Sequence, residues 1–239
     1  MGLCRKKHRR IKEYFTQVNR VLIIAPHMDD EVLGCGGVIS KYKETGDKVC
    51  TVFVAHRVYN HQYDERRNNI ERSHTLKAKK ILGYGDSFFL DLPDERLDVS
   101  IQDIIIPLEK YINEIKPDTV YIPFRGDNNQ DHRAVFDAGR VVLRPLATPF
   151  VSNVYMYEVP SSTEQSPPLS ENAFLPNYYV DIKDHIGTKI KAFECYETEK
   201  RKYPHPRSEE ALRVLAQKRG VEIGFEYAEA FMILRDKWE

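Results

Sequence analysis

Short apolar runs alternate with longer amphipathic segments along this chain, and the alternation limits the folds it can adopt. Strand-like runs occupy 20–25, 48–55, 87–90, 119–123, 151–159, 178–180 and 230–234. Segments with helical spacing occupy 30–44, 65–82, 100–115, 131–143, 184–200 and 208–219. Strands separated by helices pair in parallel, and the helices then cover both faces of the sheet. The sequence therefore predicts an α/β fold with a mostly parallel sheet and helices on both faces.

The length of 239 residues suits one α/β domain. We predict a single domain over residues 1–239, in which 1–18 is a basic N-terminal lead-in. The stretch 161–171 is polar and rich in proline, so we expect an exposed loop there, either inert or acting as a flap near the site.

Charge, cysteine content and hydropathy exclude several classes of protein. The 36 basic and 36 acidic residues balance, so no overall field favours nucleic acid as a partner. The four cysteines form no CxxC pair, which is typical of reduced thiols in a cytoplasmic protein. No apolar run approaches the roughly 20 residues that span a bilayer. We therefore expect a cytoplasmic protein with no membrane span.

The first segment that carries chemistry is Pro-His-Met-Asp-Asp-Glu at 26–31, directly after the first predicted strand. In open α/β sheets, ligands bind at the carboxyl ends of strands. Because adjacent residues of a turn point in different directions, one of Asp29 and Asp30 can coordinate a cation while the other faces a substrate. The simpler alternative is that one of these acids caps the helix that follows.

The second segment, Arg-Gly-Asp-Asn-Asn-Gln-Asp-His-Arg at 125–133, follows the fourth predicted strand. It brings His132 to the same edge of the sheet as His27. The alternative is a polar loop in which Asp131 caps a helix and His132 is solvated. A set of two histidines and one aspartate suits Zn²⁺, and three protein ligands leave a position for water, as in catalytic zinc sites. Iron(II), cobalt or manganese could occupy the same ligands.

The two segments together resemble the PIG-L/LmbE-like family of metal-dependent N-acetylglucosaminyl deacetylases. The resemblance extends to the late HPRS and YAEAF segments, and Met28 replaces the proline that is usual in the first motif. It implies a Rossmann-like sheet. It also implies that His27, Asp30 and His132 bind the metal, most simply Zn²⁺, and that Asp29 is the general base that activates the metal-bound water.

The same resemblance implies a hydrolase acting on a linear amide, which removes an N-acetyl group from an amino sugar or an N-acetylglucosamine-containing conjugate. Many members carry a histidine at the position of Asn129. An amide can donate a hydrogen bond to an oxyanion, but it cannot shuttle a proton. Asp29 itself is then expected to protonate the leaving amine, and Asp131 to assist catalysis or to orient a ligand histidine.

Arginines are the expected substrate contacts. Arg57 follows the second strand and Arg125 lies beside the second motif, so both can reach a sugar hydroxyl or a phosphate. Arg67 begins a helix, where a solvated role is the alternative. Arg207 lies in the turn His-Pro-Arg-Ser at 205–208, which the family resemblance places facing the site.

Other classes of function have less support. A non-catalytic sugar- or nucleotide-binding module on the same fold stays open because of Asn129. The glycine-rich stretch 34–37 does not match the dinucleotide-binding pattern, and its glycines are expected to allow close helix packing. No GxSxG elbow of a serine hydrolase occurs. Sheet edges and the proline-rich loop leave room for a homo-oligomer.

Overall fold

The computed structural model describes residues 18–237, in which seven strands form one sheet and two short strands form a separate hairpin. The strands are β1 (Arg20–Ala25), β2 (Lys48–His56), β3 (Val58–Tyr59), β4 (Gln62–Tyr63), β5 (Ser87–Pro93), β6 (Thr119–Pro123), β7 (Asn153–Tyr157), β8 (Tyr178–Asp181) and β9 (Ala228–Arg235). The helices are α1 (Asp30–Glu44), α2 (Glu65–Leu82), α3 (Gln102–Ile115), α4 (Gln130–Val142), α5 (Ile186–Phe193) and α6 (Glu209–Val221). Apart from residue 18, the predicted basic lead-in lies outside the described residues.

The strand order of the large sheet is β5-β2-β1-β6-β7-β9-β8. Strands β5, β2, β1, β6 and β7 are parallel, whereas β9 runs antiparallel to both β7 and β8. The predicted α/β fold with a mostly parallel sheet is therefore confirmed. Because the chain proceeds from β1 to β2 on one side and later adds β6 on the other, the strand order reverses between β1 and β6. That reversal opens a crevice at the carboxyl ends of these two strands.

The sheet is buried on both faces. Side chains of β1 alternate between two apolar cores, with Val21 and Ile23 in one and Leu22 and Ile24 in the other. Helices α1, α2, α5 and α6 contribute to the first core, and α3 and α4 contribute to the second. This arrangement explains why β1 reads as an uninterrupted apolar run, since neither of its faces meets water.

The glycines of helix α1 let it pack closely against Tyr157 of β7 and Ile182, which follows β8. A Cβ atom on Gly34 would lie 2.3 Å from the ring of Tyr157, and one on Gly37 would lie 2.7 Å from Ile182. The expectation that these glycines serve helix packing is confirmed.

A buried ion pair also anchors α1. The Glu229 carboxylate of β9 accepts the backbone N–H groups of Gly37 (2.8 Å) and Val38 (2.7 Å). Lys189 of α5 donates to Glu229 at 2.7 Å and to the carbonyl of Leu33 at 2.7 Å. Two elements that follow much later in the sequence, α5 and β9, therefore hold the middle of α1.

Two local predictions differ from the structure. The helix expected over 184–200 ends at Phe193, and the following turns bring Tyr196 and Glu199 into the interior. The exposed loop expected at 161–171 is wrong for Ser162 and Thr163, which are buried because their hydroxyls donate to Asp127. Tertiary contacts override the local signal in both segments. Among residues 18–237, no helix is both long and apolar enough to cross a bilayer.

Replacing Gly34 by alanine tests the close packing of α1. The added methyl group would overlap the Tyr157 ring, so we expect the free energy of unfolding to fall by about 1–3 kcal/mol in urea titrations. Gly187→Ala in α5 is the matched control, since nothing lies within 4 Å of its added Cβ. It should be neutral or stabilising by up to ~1 kcal/mol. Equal midpoints for the two variants would contradict the packing argument.

Candidate metal centre

Two turns at the carboxyl edge of the sheet bring together the three side chains that the sequence predicts as metal ligands. His27 lies in the turn between β1 and α1, Asp30 is the first residue of α1, and His132 lies in the first turn of α4, after β6. All three are buried. Because β1 and β6 are adjacent and parallel, both turns open into the crevice where the strand order reverses.

The donor atoms of these residues converge on one point. His27 Nδ1 and His132 Nε2 are 3.2 Å apart, and Asp30 Oδ2 lies 3.3 Å from each of them. Tetrahedral zinc with bonds of about 2.0–2.1 Å places its ligand atoms roughly 3.3 Å from one another. The spacing of this triad therefore fits a divalent cation.

The electrostatics of the pocket favour positive charge at the same point. Burial alone would lower the pKa of His132, yet Asp30 and Asp127 raise it to about 9. For Asp30, burial opposes ionisation, but His132 and His27 hold the pKa of its carboxyl well below its usual range. A cation among these groups would supply the charge that the carboxylates stabilise.

The second ring nitrogen of His27 faces two carboxylates. Nε2 lies 3.0 Å from Asp94 Oδ1 and 3.3 Å from Asp131 Oδ2. Asp131 is held in turn by the backbone N–H groups of Glu95 (2.7 Å) and Leu97 (3.1 Å). A carboxylate at Nε2 keeps the proton on that nitrogen, so the lone pair of Nδ1 is left for a metal.

His132 has a corresponding partner in Asp127. Its Nδ1 lies 3.3 Å from Asp127 Oδ1. The Asp127 carboxylate also accepts the hydroxyls of Ser162 and Thr163 and the backbone N–H of Asn129. Burial by itself would raise the pKa of Asp127, but these partners, His132 foremost, lower it. Each histidine of the triad is therefore oriented by an ionised carboxylate.

Asp29 adopts a strained backbone conformation beside the triad. Its φ of 139° is rare for a residue with a side chain and costs about 1–3 kcal/mol. Its Oδ2 lies 3.0 Å from Arg207, while Oδ1 is buried and accepts no hydrogen bond from residues 18–237. Burial raises the pKa of Asp29 to about 7, although Arg207 and Arg57 act to lower it. Asp29 forms no side-chain cap on α1, so the capping alternative is wrong for it.

Glu31, the last acid of the first motif, stabilises the turn that contains Asp29. Its Oε2 accepts the backbone N–H of Asp29 at 3.2 Å, and its Oε1 accepts the hydroxyl of Tyr196 at 2.6 Å. Burial raises the pKa of Glu31 to about 8 even though the Tyr196 hydroxyl lowers it. Glu31 thus holds the backbone of Asp29 in place.

Two of the four predicted substrate arginines reach this region. Arg57 Nη2 lies 2.7 Å from Glu199 Oε1, and Arg207 Nη1 lies 2.5 Å from Glu199 Oε2. Arg57 is also 4.0 Å from Asp29. By contrast, Arg125 is exposed at the end of β6, and the half-exposed side chain of Arg67 lies 3.9 Å from Asp64.

Asn129 has a structural role at the start of α4. Its Oδ1 accepts the backbone N–H of Asp131 at 2.8 Å and so caps the helix. The alternative in which Asp131 is the cap and His132 is solvated is therefore wrong, since both are buried in the site. This cap does not use the NH₂ group of Asn129, which can donate to a ligand.

Sequence reasoning missed the roles of Asp94 and Glu199. Asp94 directly follows β5, so the rule that placed the two motifs at carboxyl strand ends would have identified it. Glu199 falls in a segment with helical spacing and carries no comparable signal.

Comparison with known proteins identifies a matching family model and several relatives. The family model described as PIG-L, GlcNAc-PI de-N-acetylase, matches residues 22–143. The deacetylase YaiS of Escherichia coli strain K12, described as uncharacterized, is 29% identical over 184 residues, covering 74% of this chain and 90% of that protein. Diacetylchitobiose deacetylase of Thermococcus kodakarensis is 26% identical over 236 residues, covering 92% of this chain and 85% of that one.

A solved structure shares the fold over almost the same extent. It is the N,N'-diacetylchitobiose deacetylase from Pyrococcus horikoshii complexed with its inhibitor MPG, with a TM-score of 0.73 and 25% identity. The match covers 92% of this chain and 85% of that one. All members of the triad fall inside the range of the family model, whereas Glu199 and Arg207 lie beyond it.

The contact between Asp94 and His27 leads to a prediction about metal affinity. Asp94→Asn removes a charged acceptor from His27 Nε2, and loss of such a partner typically weakens metal binding by about 10–100-fold. Chelator competition with Zn²⁺ measures the change. Asp98→Asn, an exposed neighbour in the same segment, is the control and should leave the affinity unchanged. Equal affinities for both variants would show that Asp94 does not orient the histidine.

Proposed function

The chain belongs to the PIG-L family of GlcNAc-PI de-N-acetylases, and from that premise we propose that it hydrolyses the acetamide group of an amino sugar. Water is consumed, the bond between the carbonyl carbon and nitrogen breaks, and acetate and the protonated amine are released. The observation that carries the proposal is the convergence of three buried ligand atoms, 3.2–3.3 Å apart, beside Asp29, whose backbone is strained.

We assign the binding of a divalent metal, zinc or iron(II), to His27 Nδ1, Asp30 Oδ2 and His132 Nε2. Such an ion acts as a Lewis acid on a carbonyl oxygen and lowers the pKa of a water molecule to about 7. Asp94 and Asp131 hold the proton of His27 on Nε2, and the carboxylates around both imidazole rings fix their orientation.

Asp29 is the general base in this proposal. Its Oδ2 is paired with Arg207, so its unpaired Oδ1 is the atom that takes a proton from the attacking water. The same oxygen then donates that proton to the departing amine nitrogen. One carboxylate can perform both transfers because the first leaves it in the protonated form that the second requires. Asn129 can offer only its NH₂ group as a donor to the developing oxyanion.

Arg57 and Arg207 are the proposed contacts for the sugar. Arg57 Nε is buried and donates no hydrogen bond within residues 18–237, and we assign a hydroxyl of the bound sugar as its acceptor. Arg67 and Arg125 are exposed, which restricts them to parts of a substrate that extend out of the site.

The alternative of a non-catalytic binding module is less well supported. Holding a buried carboxylate in a rare backbone conformation costs stability, and sugar binding alone does not require it. A general base beside a metal triad accounts for this strain.

Removal of the metal should abolish the activity. We expect about one Zn²⁺ or Fe²⁺ per chain by elemental analysis. Treatment with a chelator should end acetate release from a panel of N-acetylglucosamine, diacetylchitobiose, nucleotide sugars and glycan intermediates, and added metal should restore it. Full activity in protein shown to be free of metal would overturn the proposal.

Substitution of the proposed base should separate metal binding from turnover. Asp29→Asn keeps the size of the side chain but cannot accept the proton, so kcat should fall by about 10²–10⁴-fold while the metal content stays constant. Asp184→Asn, at an exposed position, should match the natural protein in both measurements. If Asp29→Asn retained its turnover, another group would have to be the base.

A further inference from the structure

Four charged side chains form a compact cluster at the site, which we call the arginine–carboxylate quartet: Arg57, Arg207, Asp29 and Glu199. Glu199 receives one arginine on each carboxylate oxygen, at 2.7 Å and 2.5 Å. Arg207 is shared with Asp29 at 3.0 Å. The side chains of both arginines are only 15% and 17% exposed, and both acids are buried. When Asp29 is ionised, two positive and two negative charges therefore cancel inside the protein.

Each charge in the quartet is fixed at neutral pH except that of Asp29. Guanidinium groups do not lose their proton in proteins. Burial would raise the pKa of Glu199, but Arg57 and Arg207 lower it, so Glu199 stays ionised. Removing Glu199 would leave the two arginines facing the single carboxylate of Asp29.

This pairing affects which ligands the arginines can accept. A phosphate or carboxylate is usually bound by the free fork of an arginine. Here one terminal nitrogen of each arginine, Arg57 Nη2 and Arg207 Nη1, already faces a carboxylate, so an anionic ligand would meet the negative charges of Glu199 and Asp29. A sugar hydroxyl carries no charge and can accept a remaining N–H without that repulsion. The neighbouring Lys200, Arg201 and Lys202 are exposed, where water and salt screen their charges.

We propose that Glu199 is a specificity-determining residue, which suits the site to an uncharged amino sugar by compensating the charges of Arg57 and Arg207. The inference rests on the proposed deacetylation and narrows its substrate class. It concerns the part of the substrate next to the reacting acetamide, where the quartet lies beside Asp29.

The experiment compares charged and uncharged substrates in Glu199→Gln. The measured quantity is kcat/KM for acetate release from N-acetylglucosamine, N-acetylglucosamine 6-phosphate and N-acetylmuramic acid. For at least one acidic sugar, the ratio of acidic to neutral kcat/KM should rise on the order of tenfold or more, as expected for one unit charge a few ångströms away. Glu199→Asp keeps the charge and should retain the natural ratio.

A matched control removes the same charge elsewhere. Glu114 lies near the end of α3, whose connection leads to the amino end of β6, opposite the site. Glu114→Gln should therefore leave the ratio unchanged. Circular dichroism and metal content verify that each variant is folded and loaded. An unchanged ratio for both acidic sugars in folded Glu199→Gln would overturn the inference.

A binding measurement separates this inference from the proposed function. Calorimetry of N-acetylglucosamine 6-phosphate and N-acetylmuramic acid with the metal-loaded proteins needs no turnover. If acetate release is absent in the natural protein, the proposed function fails, and the affinities alone decide on Glu199. At least one acidic sugar should bind Glu199→Gln about tenfold more tightly than it binds the natural protein. Equal affinities would reject the role of Glu199.

Discussion

One imidazole nitrogen each of His27 and His132 and a carboxylate oxygen of Asp30 lie 3.2–3.3 Å apart inside the protein, and much of the surrounding structure holds them in this position. Lone pairs at such a distance repel each other unless a proton or a metal ion lies among them. Burial makes the cluster costly without such a positive charge, since charges and dipoles lose their contact with water. The carboxylates of Asp94, Asp131 and Asp127 stabilise that charge from outside the triad.

The three consecutive acids of the first motif lie in three different environments. Asp30 joins the triad, Asp29 joins the arginine–carboxylate quartet, and Glu31 is buried beneath the turn with Tyr196. They diverge because Asp29 has a positive φ, which turns its side chain away from the course of a regular helix start. A run of acids that would repel one another on one surface is thereby distributed among separate partners.

The fold and the triad were predictable because both depend on local sequence patterns. Apolar strands followed by His27, Asp30 and His132 identified the sheet and the edge at which these residues meet, because that edge is a property of parallel topology. The partners of Arg57 and Arg207 were not predictable. Glu199 reaches them only because α5 ends early and the following turns fold inward, which tertiary packing decides. The burial of the Ser162 and Thr163 hydroxyls was not predictable for the same reason, since their acceptor, Asp127, lies more than thirty residues earlier in the sequence.

The ion pair that anchors α1 has a consequence for the order in which the protein can be completed. Helix α1 begins with Asp30, but the carboxylate that holds its middle belongs to Glu229, 192 residues after Gly37. Synthesis delivers the N-terminal part of a chain first. During translation, the backbone groups in the middle of α1 therefore lack their contacts with Glu229 and Lys189 until residues 189 and 229 have left the ribosome. The first helix of residues 18–237 thus reaches its final surroundings only after β9 has been synthesised.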